Sequence, residues 1–290
     1  MAFASPPKPV RPARSKALDA FFHNPLSVIG LIIVAVIVIV SAFAPFMSPF
    51  PDHAGSIGDF SAMNVGPNGT YLLGTDTMGR DLLTRIIYGY RLSLLMAVIV
   101  LIIATPVGVL VGLVAGYKGG WVDYVLMRIT DIFLAIPPLV FALAIMGFLK
   151  PTMTNGMLAI TAMWWPWYTR LTYSVTRAEA QEGYVLAAET VGASTWHILL
   201  KEILPNCMPS ILTKMTLDVG YVILMASSLS FLGLGVQPPT PDLGSMVADG
   251  ASYMPDSWWL SVWPALAILL VVLGFNLMGD GLREAFDVER

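Results

Sequence analysis

The sequence predicts an all-α, polytopic membrane protein with about six transmembrane helices. Apolar residues make up 56% of the 290 and charged residues only 12%, with a mean hydropathy of +0.73. Soluble domains carry about 25% charged residues, so a chain this apolar cannot cover a water-facing surface and needs lipid as its solvent. Six apolar runs, at residues 26–47, 92–117, 122–148, 157–175, 208–234 and 260–278, are bounded by charge, Gly or Pro. At about 1.5 Å per residue each is long enough for a hydrocarbon core of about 30 Å.

The first run follows a tail over residues 1–25 that holds Lys8, Arg11, Arg14 and Lys16. A cleaved leader is the alternative there, since Ala42-Phe43-Ala44 resembles a cleavage site. The apolar run exceeds the usual ~7–15 residues and Pro45 would follow the cut, so a retained span is preferred. Residues 48–91 read as an extracytoplasmic loop, rich in Pro, Gly and Asp, that ends in a short interfacial helix. Leu82, Leu83, Ile86, Ile87 and Tyr90 form its apolar stripe, and Thr75 or Asp76 would cap it.

Residues 92–280 form a five-helix core, followed by a tail over 281–290. Lys118 and Arg128 flank the turn between spans two and three, and Arg170, Arg177 and Lys201 surround the loop before span five. With the basic N-terminal tail, Arg283 and Arg290, they outweigh Lys150, Arg80, Arg85 and Arg91 on the other side. That bias predicts both termini in the cytoplasm. Trp258, Trp259 and Trp263 suit an aromatic belt at the outer face of span six.

Gly108, Gly112 and Gly116 recur every four residues in span two, a spacing that lets helices approach closely in lipid. Packing inside the chain is the preferred reading, and a contact with a second membrane subunit is the alternative. Charges inside spans are the next candidates. Asp131 follows Arg128 by three residues and Lys214 precedes Asp218 by four, both spacings for local ion pairs. Either could instead line a path for solute. Trp164, Trp165, Trp167 and Tyr168 crowd span four, where packing is again preferred.

The loop TRAEAQEGYVLAAETVGASTWHILLKEILPN lies between spans four and five. Its first part is helix-compatible, Gly192 offers a break, and Ser194 is a cap for a second short helix that Pro205 would end. The three histidines, His23, His53 and His197, show no metal spacing, and the lone Cys207 cannot form an internal disulfide. No G-x-x-x-x-G-K-[ST] phosphate loop occurs, so ATP hydrolysis is not expected of this chain.

With Ala187-Ala188, Gly192 and Leu204-Pro205 in view, the loop is similar to the EAA loop of bacterial ABC importer permeases. The strings LGTDTMGRDLLTRIIYGYRLSL, GYKGGWVDYVLMRITDIFLAIP, SFLGLGVQPPTPDLGSM and FNLMGDGLREAFD extend the likeness across residues 73–287. The chain resembles the C-type permease of dipeptide, oligopeptide and nickel importers. Leu186 stands where that family often has the glutamate of EAA, and Glu202 where an isoleucine is common.

The resemblance implies a type I ABC importer permease fold in a bacterial inner membrane. It implies a second homologous permease enclosing the path, two ATP-binding-cassette ATPases that hold ATP and Mg, and an extracytoplasmic substrate-binding protein. Lipid surrounds the assembly, no nucleic acid takes part, and this chain binds no cofactor itself. Tyr184, Leu186, Ala187, Ala188, Gly192, Ala193, Leu204 and Pro205 would carry ATPase coupling, tilting spans four and five as rigid rods. The implied cargo is a di- or oligopeptide, with nickel or another small solute as the alternative. An ion-coupled secondary transporter is the rival class, but this chain shows no inverted repeat and its candidate carboxylates lie mostly near span ends. The loop GVQPPTPDLGSM cannot be a regular helix throughout and reads as a cap on the outer mouth or a contact with the binding protein.

Overall fold

Asn24 and Pro25 start the first long helix of the structure, a computed structural model that describes residues 19–287. The Asn24 side chain accepts from the Leu26 N–H at 3.0 Å, and Pro25 takes a position where no N–H is needed. This helix, α1 (Pro25–Ala42), buries one stripe of Ser27, Gly30, Val34, Ile37 and Ser41. Leu26, Ile29, Ile32, Val36 and Ile39 stay exposed, as lipid allows. The cations Lys8, Arg11, Arg14, Lys16 and Arg290, used above for orientation, lie outside the described residues.

Residues 48–81 are pinned rather than loose. Asp76 holds Arg80 at 2.7 Å and Arg85 at 3.4 Å, the Asp81 N–H donates to His53 Nδ1 at 2.9 Å, and Trp259 Nε1 donates to the Thr75 carbonyl at 3.3 Å. No separate interfacial helix follows. Residues 82–91 are the first turns of one unbroken helix, α2 (Leu82–Lys118), which contains the expected second span. Its cap is Asp81, accepting from the Thr84 N–H at 2.8 Å, and not Thr75 or Asp76. Of the apolar stripe over 82–90, Leu82, Ile86, Ile87 and Tyr90 are buried against protein and Leu83 is half-buried, with the Tyr90 hydroxyl donating to the Ala267 carbonyl at 3.0 Å. Nothing between the stripe and the span breaks the helix, so it continues.

The expected third span is broken. α3 (Gly120–Leu134) and α4 (Pro138–Met146) meet at 82°. Consecutive Pro137 and Pro138 have no N–H to continue the ladder, and each ring would clash with the preceding turn. α5 (Met153–Glu179) is opened by Thr152, whose hydroxyl accepts from the Asn155 N–H at 3.2 Å. Next come a short helix, α6 (Gly183–Thr190), and a helix continuous over residues 195–231, α7 (Thr195–Phe231). Pro205 does not end a short helix as expected. It sits within α7, just after a π-helical turn at Ile198–Ile203. Widened bonding there accommodates a residue with no N–H to give back.

The loop 235–258 is also partly helical. α8 (Leu243–Ala251) is capped by Asp242, which accepts from the Ser245 N–H at 2.9 Å. Asp242 is buried, which pushes its carboxyl above the usual range. α9 (Trp259–Asp287) completes the described chain, so residues 281–287 continue the last span as helix rather than a separate tail.

Among the described residues four helices, α1, α2, α7 and α9, are long and apolar enough to cross a membrane, and the bent α3–α4 pair makes five. The expected fourth span, residues 157–175, lies in α5. At 27 residues α5 is long enough, but it is less apolar because much of it faces other helices. Thr169, Thr172, Thr176, Tyr168 and Trp164 are buried there. The core follows α2, α5, α7 and α9, and no strand occurs among the described residues beyond one isolated bridge between Thr75 and Asp81.

Candidate functional site

The turn between α6 and α7 is built from local signals that hold a hard knob at one end of the bundle. α5 stops at Glu179, and α6 rises after the turn at residues 180–182. Gly192 adopts φ +79°, a left-handed conformation that glycine reaches without strain, and it reverses the chain. Ser194 then caps α7, its hydroxyl accepting from the His197 N–H at 3.3 Å.

Behind the turn, Val185, Ile198, Leu199 and Ile203 are buried, with Ala188, Ala193 and Leu204 packed against them. Three side-chain ties brace it. The Tyr117 hydroxyl at the end of α2 donates to Glu189 at 2.7 Å. Tyr184 donates to Glu179 at 2.6 Å and accepts from the Asn206 amide at 2.9 Å. Desolvation and the Glu179 carboxylate push the Tyr184 phenol up to about 12. His197 Nε2 lies 3.5 Å from Glu202, the residue that departs from the usual isoleucine.

The front face is the opposite of the back. Ala187 and Pro205 are exposed, and so are Leu186, Leu200, Trp196 at 59% and Val191 at 83%. Leu186, in place of a glutamate, makes this tip apolar. Sequence reasoning named Tyr184 to Pro205 but missed Leu200 and the two most exposed large apolar residues of the turn, Val191 and Trp196. Their signal was present: large apolar side chains on both sides of a left-handed glycine in a polar loop. Tyr117 and Glu189 were also missed, because their bond joins residues that are far apart in sequence.

Above the knob, α2 and α5 lie backbone to backbone. A Cβ at Gly108 would collide with the Trp165 carbonyl oxygen. One at Gly112 would lie 2.7 Å from that of Thr169, and one at Gly116 would lie 2.9 Å from Thr176 Cβ. The three glycines therefore face α5 of the same chain. Thr169 uses the closeness to donate to the Gly108 carbonyl at 3.1 Å.

The two intramembrane acids singled out above, Asp131 and Asp218, are each paired, though not both as the spacing suggested. Lys214 meets Asp218 at 3.1 Å, as i,i+4 neighbours do. Trp164 Nε1 adds a bond to Asp218 at 3.0 Å, and the Lys214 ammonium lies 5.5 Å and 5.8 Å from the Tyr168 and Trp167 ring centres. Asp131 pairs with Arg170 across the α3–α5 seam rather than with Arg128. Arg128 instead lies over the Tyr124 ring at 5.3 Å. One turn of helix made Arg128 near in sequence, but the packing of α5 on α3 brought Arg170 nearer in space. A charge at mid-depth in hydrocarbon costs about 2.5–3.5 kcal/mol on insertion scales, so such pairing is needed. Among the described residues no cluster of three His, Cys, Asp or Glu side chains could hold a metal ion.

Comparison with known proteins adds sequence breadth to this geometry. Residues 108–288 match the family model described as binding-protein-dependent transport system inner membrane component. Residues 14–67 match the N-terminal TM domain of oligopeptide transport permease C. The di/tripeptide transport system permease protein DppC of Pseudomonas aeruginosa is 41% identical over 289 residues, covering 98% of this chain and 95% of that protein. The dipeptide permease DppC of Escherichia coli K12 is 40% identical over 291 residues, with the same coverages, and its probable D,D-dipeptide permease DdpC is 39% identical over 282. Among solved structures, an inward-facing MetNI methionine ABC transporter chain superposes with TM-score 0.57 at 18% identity, over 73% of this chain and 100% of that one. At that identity the likeness speaks for the fold.

Proposed function

The chain belongs to the family of binding-protein-dependent transport system inner membrane components, and from that premise we propose that it is the C-type permease subunit of an ATP-binding-cassette importer of di- or oligopeptides. It is a transport subunit, a multi-pass protein of the bacterial inner membrane. The knob between α6 and α7 is the observation that carries the coupling role: an exposed apolar tip on a buried, braced base, continuous with two long helices. A solvated loop has no use for Val191 and Trp196 held rigidly outward, whereas a partner's groove does.

In this reading the knob and both termini lie in the cytoplasm. A second homologous permease encloses the path, two ATPases carrying ATP and Mg receive the two knobs, and an extracytoplasmic protein delivers the peptide. Closure of the ATPases moves the tip. α5 and α7 follow as rods, because a helix satisfies its backbone bonds internally and resists bending. The π-helical turn at Ile198–Ile203 is an irregular place on that route. The glycine seam at Gly108, Gly112 and Gly116 locks α2 to α5, so three helices answer one push.

Uptake in right-side-out vesicles, loaded with ATP and holding this chain with its co-expressed partners, tests the reading. Accumulation of a labelled dipeptide that requires ATP hydrolysis and survives an uncoupler is expected. Accumulation abolished by the uncoupler alone would reassign the chain to ion-coupled transport.

A further inference from the structure

Three ion pairs form a ladder up the seam between α3, α5 and α7. Arg177 and Asp123 stand nearest the knob at 3.5 Å, with the Tyr173 hydroxyl donating to Asp123 at 3.0 Å. Arg170 and Asp131 lie about two turns higher on both helices, about 10–12 Å at ~1.5 Å per residue. Lys214 and Asp218 come next, beside Trp167, which is one turn above Arg170 on the same face of α5. Trp167, Arg170, Ser174 and Arg177 share that face and are all exposed.

At each rung the base is more open than the acid. Arg177 is 62% exposed against 20% for Asp123, Arg170 is 50% against 40%, and Lys214 is 26% against 5% for Asp218. A half-exposed arginine within the length of a span cannot face hydrocarbon, so this face turns toward water or protein. The acids offset the charge from the more buried side, while each base keeps N–H donors beyond those its acid takes up.

Resting on the importer reading above, we infer that this seam is the wetted wall of the translocation path, with Lys214 and Arg170 as successive anchors for the carboxylate end of a zwitterionic peptide. A peptide carboxylate fits the donors that remain, and the exposed Trp167 ring beside Lys214 offers a flat apolar surface for a side chain. Anchors in series, each partly satisfied by its own acid, hold a carboxylate weakly enough for it to move on.

The test uses the assembled transporter in proteoliposomes, with Cys207 left in place because it is wholly buried. Trp167→Cys and Ser174→Cys are expected to react with a charged, membrane-impermeant methanethiosulfonate. Ile102→Cys and Leu158→Cys, exposed on apolar faces, are expected to stay unmodified. An unreactive Trp167→Cys would mean a dry contact with the second permease and would overturn the wall. This arm reads water and not cargo, so it stands even if peptide uptake fails.

The second arm separates an anchor from a structural pair. Lys214→Met leaves the buried Asp218 charge with only the Trp164 N–H to face it, whereas Lys214→Met with Asp218→Asn removes both charges. The double variant is expected to recover assembly and thermal stability yet keep dipeptide uptake at least tenfold down. Full uptake by the double variant would show the pair to be structural and would overturn the anchor.

Discussion

Gly192 carries the sharpest residue-scale consequence. A Cβ there would touch nothing within 4 Å, so a side chain is opposed by the backbone and not by crowding. At φ +79° an L-residue costs about 1–2 kcal/mol, and a β-branched one more. Gly192→Val should therefore reach the membrane in normal amounts but lose most ATP-coupled uptake, while Gly192→Asn, which tolerates the conformation, should keep most of it. Equal uptake in both would mean that the turn has no coupling role.

Tyr184 gives a second test at this scale. Tyr184→Phe deletes bonds to Glu179 and Asn206, each worth about 0.5–1.5 kcal/mol, and should lower the melting temperature of the purified protein slightly. Its phenol is raised from 10.0 to about 12, so the folded elbow holds the proton more tightly than the unfolded chain does. The contribution is complete below pH 10 and is lost as pH rises through about 12. The Tyr184→Phe difference should accordingly be constant from about pH 6 to 9 and shrink only above that range.

At the scale of elements, the joint between α2 and α5 depends on absent side chains. Gly112→Val would set new atoms against the Thr169 carbonyl and the Thr172 Cβ, both backed by helix. Overpacking of this kind costs about 1–3 kcal/mol, to be seen as earlier thermal unfolding in detergent. Gly156→Ala, in the same bundle but with nothing within 4 Å of its Cβ, should be neutral or mildly stabilising. If both behave alike, close approach is not what the glycines provide. The four-residue repeat was readable in sequence. Its partner was not, since the spacing says only that something comes close.

For the whole molecule, the reading requires the knob to emerge on the side where ATP is hydrolysed. Val191→Cys, at the most exposed point of the tip, should be modified by an impermeant maleimide only from the cytoplasmic side. Assembly with the ATPases should protect it. Labelling from the outside, or no protection, would remove the coupling scheme at its root. The same arrangement explains why α5 is less apolar than a lone span. Its neighbours are α2, α3, α4 and α7, so buried threonines replace the leucines that lipid would demand.

Apolar length, the turn at Gly192, the cap at Ser194 and the Lys214–Asp218 pair were all legible in the chain itself. Apart from apolar length, which is a matter of composition over a whole run, each depends on residues within about one helical turn, where chain geometry fixes who meets whom. Packing alone decided that Asp131 belongs to Arg170, that Pro205 lies within a span, and that every base on the seam is more open than its acid. Those outcomes depend on helices remote in sequence lying side by side, and periodicity along a single helix carries no record of which face its neighbour takes.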